Sequence, residues 1–256
     1  MIEFIKTLAL EAGEIALRER KTLDAGKIFA KDSDKDMVTA VDRQIEDFLI
    51  SRIHEKFPAH DIFGEETGRS GNSSRYCWAL DPIDGTTSYI HDQPYYSVSI
   101  GFQENGITTH GAVYAPRLGE LFTAQKGVGA WLNGEKIAVS PRNRLSESLL
   151  GTGFACIRAN LMENNLKYFV RMMPLIRGIR RCGSAAIDLS YVACGRLEGF
   201  WELNLNLYDI AAGALILEEA GGKITDLTGG ADYPEKGLVS SNRLIHDELL
   251  TRLHEA

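Results

Sequence analysis

Tyr76-Cys77-Trp78-Ala79-Leu80-Asp81-Pro82-Ile83-Asp84-Gly85-Thr86-Thr87 sets a mostly apolar run directly ahead of a polar turn. The apolar run reads as a buried strand, with Asp81 at its end. Pro82 stiffens the exit and Gly85 relaxes the backbone. Two carboxylates three residues apart at such a turn can converge on one hard cation, and the Ile83 carbonyl between them is a natural extra oxygen ligand. Gly85-Thr86-Thr87 then opens a helix or turn whose free N–H groups face an anion. A cation site touching an anion site is what phosphoryl transfer requires. Asp-Pro and Asp-Gly are common turn dipeptides, so Asp-Pro-x-Asp alone favours a plain capped turn. The full run behind an apolar strand reverses that preference.

Two other acidic segments strengthen it. Gly64-Glu65-Glu66-Thr67 follows the short strand Asp61-Ile62-Phe63, and adjacent glutamates point to different sides, so one of them is the candidate ligand. Asp209 opens the helical stretch Asp209-Ile210-Ala211-Ala212-Gly213. Taken singly, a Glu pair is a solvated surface feature and Asp209 an acid favoured by the helix dipole. Glu202, seven residues before Asp209, could accept hydrogen bonds from vicinal hydroxyls; alone it reads as an exposed strand-end acid.

Working outward, residues 2–20 read as a helix with Ile5, Leu8, Ala12, Ile15 and Ala16 on one face. Gly26 to Lys35 reads as broken and polar. A second helix begins near Thr39, its N-cap, with Asp42 in the first turn. Short strands are expected at 61–63 and 76–80, separated by a mobile Gly68 to Ser74. Strands follow over Tyr96–Phe102, Ile107–Tyr114 and Glu120–Ala124, with Asn-Gly hairpin signals at 105–106 and 133–134. The second half reads as helices at Met162–Met173 and Ala185–Ala193 and a strand at Leu197–Trp201. A helix at Tyr208–Ala220 is stopped by Gly221-Gly222. Strands near 223–225 and 237–240 and a last helix from about Asn242 complete it. This mixture predicts stacked α and β layers in one domain, with halves at about 1–140 and 141–256.

The chain has 256 residues, 44% hydrophobic and 25% charged, with net charge −7. The acidic balance argues against broad contact with nucleic-acid backbones, though not against a small anion in a local pocket. Cys77, Cys156, Cys182 and Cys194 form no C-x-x-C pair, which suggests reduced thiols in a cytoplasmic protein. The N-terminus lacks a signal-peptide pattern, and no apolar run reaches 18 residues.

Together GEET at 64–67, DPIDGTT at 81–87, YDIAAG at 208–213, EEAGG at 218–222 and KDSDKDMVTAVD at 31–42 resemble the inositol monophosphatase family over essentially the whole chain. The resemblance implies an α-β-α-β-α sandwich, usually a homodimer, that hydrolyses a small phosphate ester with two or three Mg²⁺ ions and is commonly inhibited by Li⁺. It implies Glu65, Asp81, the Ile83 carbonyl, Asp84 and Asp209 as metal ligands. Asp42 would meet an additional metal through water, and Lys31 would be a basic residue near the site. Thr86 and Glu65 would activate the attacking water, with Gly85 and Thr86 cradling the phosphate. Gly183, Ser184, Ala185 and Glu202 would line the polyol pocket. Tyr208 and Ser88 stand where the family often has Trp and Asn. Fructose-1,6-bisphosphatase, histidinol-phosphate phosphatase and 3′-phosphoadenosine 5′-phosphate phosphatase share the metal motif, and some bacterial relatives associate with transcription machinery.

Overall fold

The computed structural model describes residues 1–24, 26, 28–33, 36–71 and 74–254, except the side chains of residues 30–33, 36 and 37. The apolar face of the N-terminal segment makes α1 (Ile2–Arg20), with Ile5, Leu8, Ala12 and Ala16 fully buried. The stretch expected to be broken and polar instead forms a hairpin, β1 (Ile28–Ser33) and β2 (Asp36–Thr39), with an irregular register at its tip. Asp34 and Lys35 lie outside the described residues. Thr39 then caps α2 (Ala40–Lys56) in a reciprocal box. Its backbone N–H donates to Asp42 Oδ2 at 2.9 Å, and its own hydroxyl accepts from Val41 N at 3.1 Å.

Next come β3 (Asp61–Gly64), β4 (Gly68–Ser70), β5 (Tyr76–Asp84), α3 (Thr86–Ile90), β6 (Ser97–Glu104), β7 (Ile107–Ala115), β8 (Glu120–Gln125), β9 (Gly129–Leu132) and β10 (Glu135–Lys136). Part of the segment expected to be mobile is thus ordered as β4, paired antiparallel with β3; Asn72 and Ser73 lie outside the described residues. Both Asn-Gly pairs close two-residue hairpins, with φ of 51° and 78° at Asn105-Gly106 and 49° and 86° at Asn133-Gly134.

The second half supplies β11 (Leu149–Thr152), α4 (Ala155–Arg158), α5 (Leu166–Met172), β12 (Gly178–Arg180), α6 (Ala185–Ala193), β13 (Gly199–Glu202), α7 (Leu207–Glu219), β14 (Lys223–Thr225), β15 (Leu238–Ser241) and α8 (His246–His254). α5 starts four residues later than the apolar pattern suggested, because Asn164 Oδ1 accepts the Leu166 N–H at 3.0 Å and fixes a turn there.

Among the described residues, β3 to β10 form one eight-stranded sheet and β11 to β15 a five-stranded one. Helices α1 and α2 cover one face of the large sheet, and α6 and α7 pack between the two sheets. α5 and α8 close the far side. The expected α-β-α-β-α layering is what this packing gives.

His246 ties the C-terminal layer together. It is fully buried, with Thr225 Oγ1 3.0 Å from Nε2 and Ser241 Oγ 2.9 Å from Nδ1. Burial, helped by the Lys223 charge, pushes its pKa down to about 4. Between pH 6.5 and 4 the unfolded state therefore binds more protons than the folded one, so stability is complete above pH 6.5 and falls with pH across that window. Chemical denaturation of parent and His246→Gln across pH 4–7 should show the parent losing on the order of 2–3 kcal/mol more over this range than the variant. Parallel profiles would show that the ring does not titrate on unfolding.

Candidate active site

The two motif aspartates share β5, which runs on through Asp81-Pro82-Ile83-Asp84 rather than ending at Leu80. Asp81 pairs with Ser99 and Asp84 with Ser97, and the register shifts between them. Such a bulge re-aims side chains that a regular strand would send to opposite faces. The chain then turns at Gly85, whose φ of 100° is left-handed, and Thr86 begins α3. A Cβ at Gly85 would also lie 2.7 Å from the Tyr95 carbonyl, so glycine is required twice over.

The Glu65 turn is held from below. Glu46, fully buried in α2, accepts the N–H groups of Glu66 at 2.8 Å and Thr67 at 2.9 Å, and the Thr67 hydroxyl as well. A Cβ on Gly64 would lie 2.2 Å from Glu46 Oε1, so glycine lets the carboxylate seat. Asp84 Oδ2 accepts from Ser184 Oγ at 2.6 Å and from the Ala186 N–H at 2.7 Å. Asp209 Oδ2 accepts the Asn206 N–H at 2.5 Å at the start of α7. In both aspartates a second oxygen remains for a ligand.

Glu65, Asp84 and Asp209 border a cavity of about 390 Å³ whose lining also includes Gly183, Ala185 and Glu202. Asp81 lies deeper, 2% exposed, and its Oδ1 meets no hydrogen-bond donor. Burial, then the charges of Glu65, Asp84 and Asp209, holds the Asp81 pKa well above the usual carboxylate range. Burial also raises Asp84, to about 6, although the Ser184 and Ala186 bonds pull it back. Asp209 is held well above its ordinary value by withdrawal from water and by Asp84. The donor set is oxygen alone, crowded with negative charge, and it fits a hard divalent cation. Among the described residues, no group of three or more His, Cys, Asp or Glu side chains stands in a geometry that could hold a metal ion as it is. Of the expected ligand set, Glu65, Asp84 and Asp209 border the cavity, and Asp81 is buried, its pKa raised by the charges of all three.

Thr86 has a neighbour that the resemblance did not single out for it. The resemblance pairs it with Glu65 in activating water, and its hydroxyl sits 3.3 Å from Asp42 Oδ1 and 3.2 Å from the Ile83 carbonyl. Asp42 is fully buried, and burial raises its pKa to about 7 against the lowering bonds from Thr39. Ser184 differs from expectation. It does not line the cavity but lies 1% exposed beneath it, capping α6 and donating to Asp84. Glu202 does line the cavity, yet its Oε1 already accepts the Ala155 N–H at 3.0 Å, and burial raises its pKa to about 7. Lys31 lies in β1, but its side chain is outside the described residues.

Sequence reading missed three residues here. Glu46 is one of them, and nothing local marks its bonds twenty residues away. Arg158 and Asp188 both border the cavity. Arg181 borders it too, while Arg180 is exposed in β12.

An acidic oxygen wall beside a polar cavity, carried on a layered α/β scaffold, defines the class as a phosphatase. The chain belongs to the inositol monophosphatase family, whose model matches residues 1–256. It is 42% identical to the Nus factor SuhB of Pseudomonas aeruginosa over 99% of this chain and 95% of that one. It is 44% identical to the inositol-1-monophosphatase of Synechocystis sp., over 84% of this chain and 75% of that one. Among solved structures, an inositol monophosphatase from Anabaena (Nostoc) sp. superposes with a TM-score of 0.88 at 38% identity, covering 98% of this chain and 94% of that one. The chain is accordingly a hydrolase of phosphate esters, in a family that is generally metal-dependent.

Because Glu46 satisfies three donors, Glu46→Gln sets an amide NH₂ against at least one of them. Stability should drop by about 1–3 kcal/mol. The apparent activation constant for Mg²⁺ should rise as Glu65 loosens. Unchanged metal activation, read from rate against Mg²⁺ concentration, would leave Glu46 with a purely structural part.

Proposed function

We propose that the chain hydrolyses a polyol or sugar monophosphate, inositol-1-phosphate first among them, with Mg²⁺, by direct attack of water. The observation that carries this reading is one cavity whose lining brings Glu65, Asp84 and Asp209 together with Glu202. Glu65, Asp81, the Ile83 carbonyl, Asp84 and Asp209 would hold two or three ions, with Asp42 behind them. Magnesium bound there would neutralise the phosphate and lower the pKa of water.

The chain's own groups do the rest. Gly85 and Thr86 offer backbone N–H groups to the phosphate at the start of α3. Thr86 Oγ1 orients the attacking water and hands its proton toward Asp42 Oδ1, the acceptor at its side. Glu65 sits across the same wall and biases that water electrostatically. Glu202 accepts from ring hydroxyls, and the backbone at Gly183 and Ala185 shapes the pocket beside it. No residue becomes phosphorylated. Lithium inhibition, a cytoplasmic setting and a homodimer belong to the same reading. The four cysteines are free thiols, which suits a reducing compartment. Met162, Leu166, Val170 and Met173 expose apolar side chains that a second subunit would cover.

A second reading rests on the P. aeruginosa relative, named a Nus factor: this chain would also bind a protein of the transcription machinery. Pull-down with an Asp84→Asn variant separates binding from turnover.

Turnover of inositol-1-phosphate should require added Mg²⁺ and vanish in excess EDTA. Asp84→Asn should lower kcat by at least about 100-fold while the metal-free variant melts no lower than the metal-free parent, since one repelling charge is gone. An unchanged kcat in the variant would make Asp84 a turn residue only.

Substrate choice turns on Glu202 against Arg158 and Arg181, whose charges act on it across the cavity. Glu202→Gln should cut kcat/KM for inositol-1-phosphate about tenfold more than for an aryl phosphate, because a site built to bond a hydroxyl loses most on the substrate that has one. Equal losses would mean that Glu202 supports the site generally. A parent preference for fructose-1,6-bisphosphate would instead give the two arginines the specificity.

A further inference from the structure

A second cavity, of about 550 Å³, lies between the C-terminal end of α1, the residue that follows α3 by two and the start of β6, and it shares no lining residue with the first. It borders Arg18, Arg20, Lys21 and Arg117 against only Glu14 and Asp92. Four cations thus border it against two anions, with Arg18 Nε already paired to Glu19 Oε1 at 3.0 Å, on a chain whose net charge is −7.

Two buried donors there are not spent. Tyr96 is 2% exposed and its hydroxyl meets no partner. Burial raises its pKa to about 12, so it stays a protonated donor. Arg20 Nε is likewise buried without a hydrogen bond. Its nearest acid, Asp92, stands 3.7 Å away, and Arg117 is 3.9 Å from the same Oδ1. Both distances exceed hydrogen-bond reach. Of the Arg20 nitrogens, Nη2 is engaged, with the Ile90 carbonyl at 3.3 Å. A phenol, two guanidiniums and a neighbouring ammonium all donate, and a buried donor left unfilled costs about 1–3 kcal/mol. Only a ligand made of acceptors answers every one of them, and a tetrahedral oxyanion matches the guanidinium forks.

We propose that this cavity is an anion-binding site for phosphate, free or as the phosphoryl group of a small ester, gripped by Arg20, Arg117 and the Tyr96 hydroxyl. Arg20 also contacts Ile90, the last residue of the helix that Thr86 begins, and no lining residue is shared with the first cavity, so the ligand would sit apart from it.

Calorimetric titration of the full chain, with no divalent metal added and chloride balancing ionic strength, tests this with two probes, inorganic phosphate and β-glycerophosphate. Saturable binding of either is expected, and the tighter one identifies the free ion or the ester as the source. The double variant Arg20→Gln/Arg117→Gln should bind at least tenfold more weakly. Tyr96→Phe should weaken binding about threefold or more while melting no lower than the parent without ligand, since its hydroxyl has no partner to lose. Absence of saturable binding, or equal affinity in the parent, the double variant and Tyr96→Phe, would overturn the site.

Discussion

Asp81, Asp84 and Asp209 are withdrawn from water beside Glu65, and burial together with the neighbouring carboxylates raises the proton affinity of all three aspartates. At an effective dielectric near 20, unit charges about 5 Å apart repel by roughly 3 kcal/mol. Such a group is tolerable only with protons or cations among its members. The rest of the molecule is arranged to keep it there. Asp81 and Asp84 sit on a central strand of the large sheet, and Asp209 comes from α7, which packs against that sheet.

The repulsion is resisted by bonds that run outward from the cluster. Ser184 and the first turn of α6 fix Asp84, the Asn206 N–H fixes Asp209, and Glu46 fixes the turn that carries Glu65. Each anchor belongs to a different helix. The layers must therefore be assembled before the carboxylates can converge, and the wall is a property of the whole fold. Asp42 serves both sides, since one oxygen closes the cap of α2 and the other faces Thr86.

Where pattern and chemistry agree locally, the sequence is readable. The long apolar face of α1, the alternation through β6 and β7 and the two Asn-Gly turns all form as expected. β1 and β2 were hidden because Lys31-Asp32-Ser33-Asp34-Lys35-Asp36 carries no apolar alternation, and β11 because four residues flanked by Ser148 and Gly153 give too little period. Within the site, Glu65, Asp81, Asp84 and Asp209 stood out as motifs, because turn chemistry and spacing are local. What Ser184 does was not. Its bond to Asp84 spans a hundred residues, and the same spacing serves a pocket wall or a buried clamp. Thr86 shows the same limit, since only the folded chain brings Asp42 beside it.

Anomalous diffraction from a crystal soaked in Mn²⁺ tests most directly whether the acidic wall is a cation site. Peaks should lie among Glu65, Asp81, Asp84 and Asp209, with the carboxylates drawn in upon them. Full occupancy of Mn²⁺ elsewhere, with this wall empty and unmoved, would contradict it.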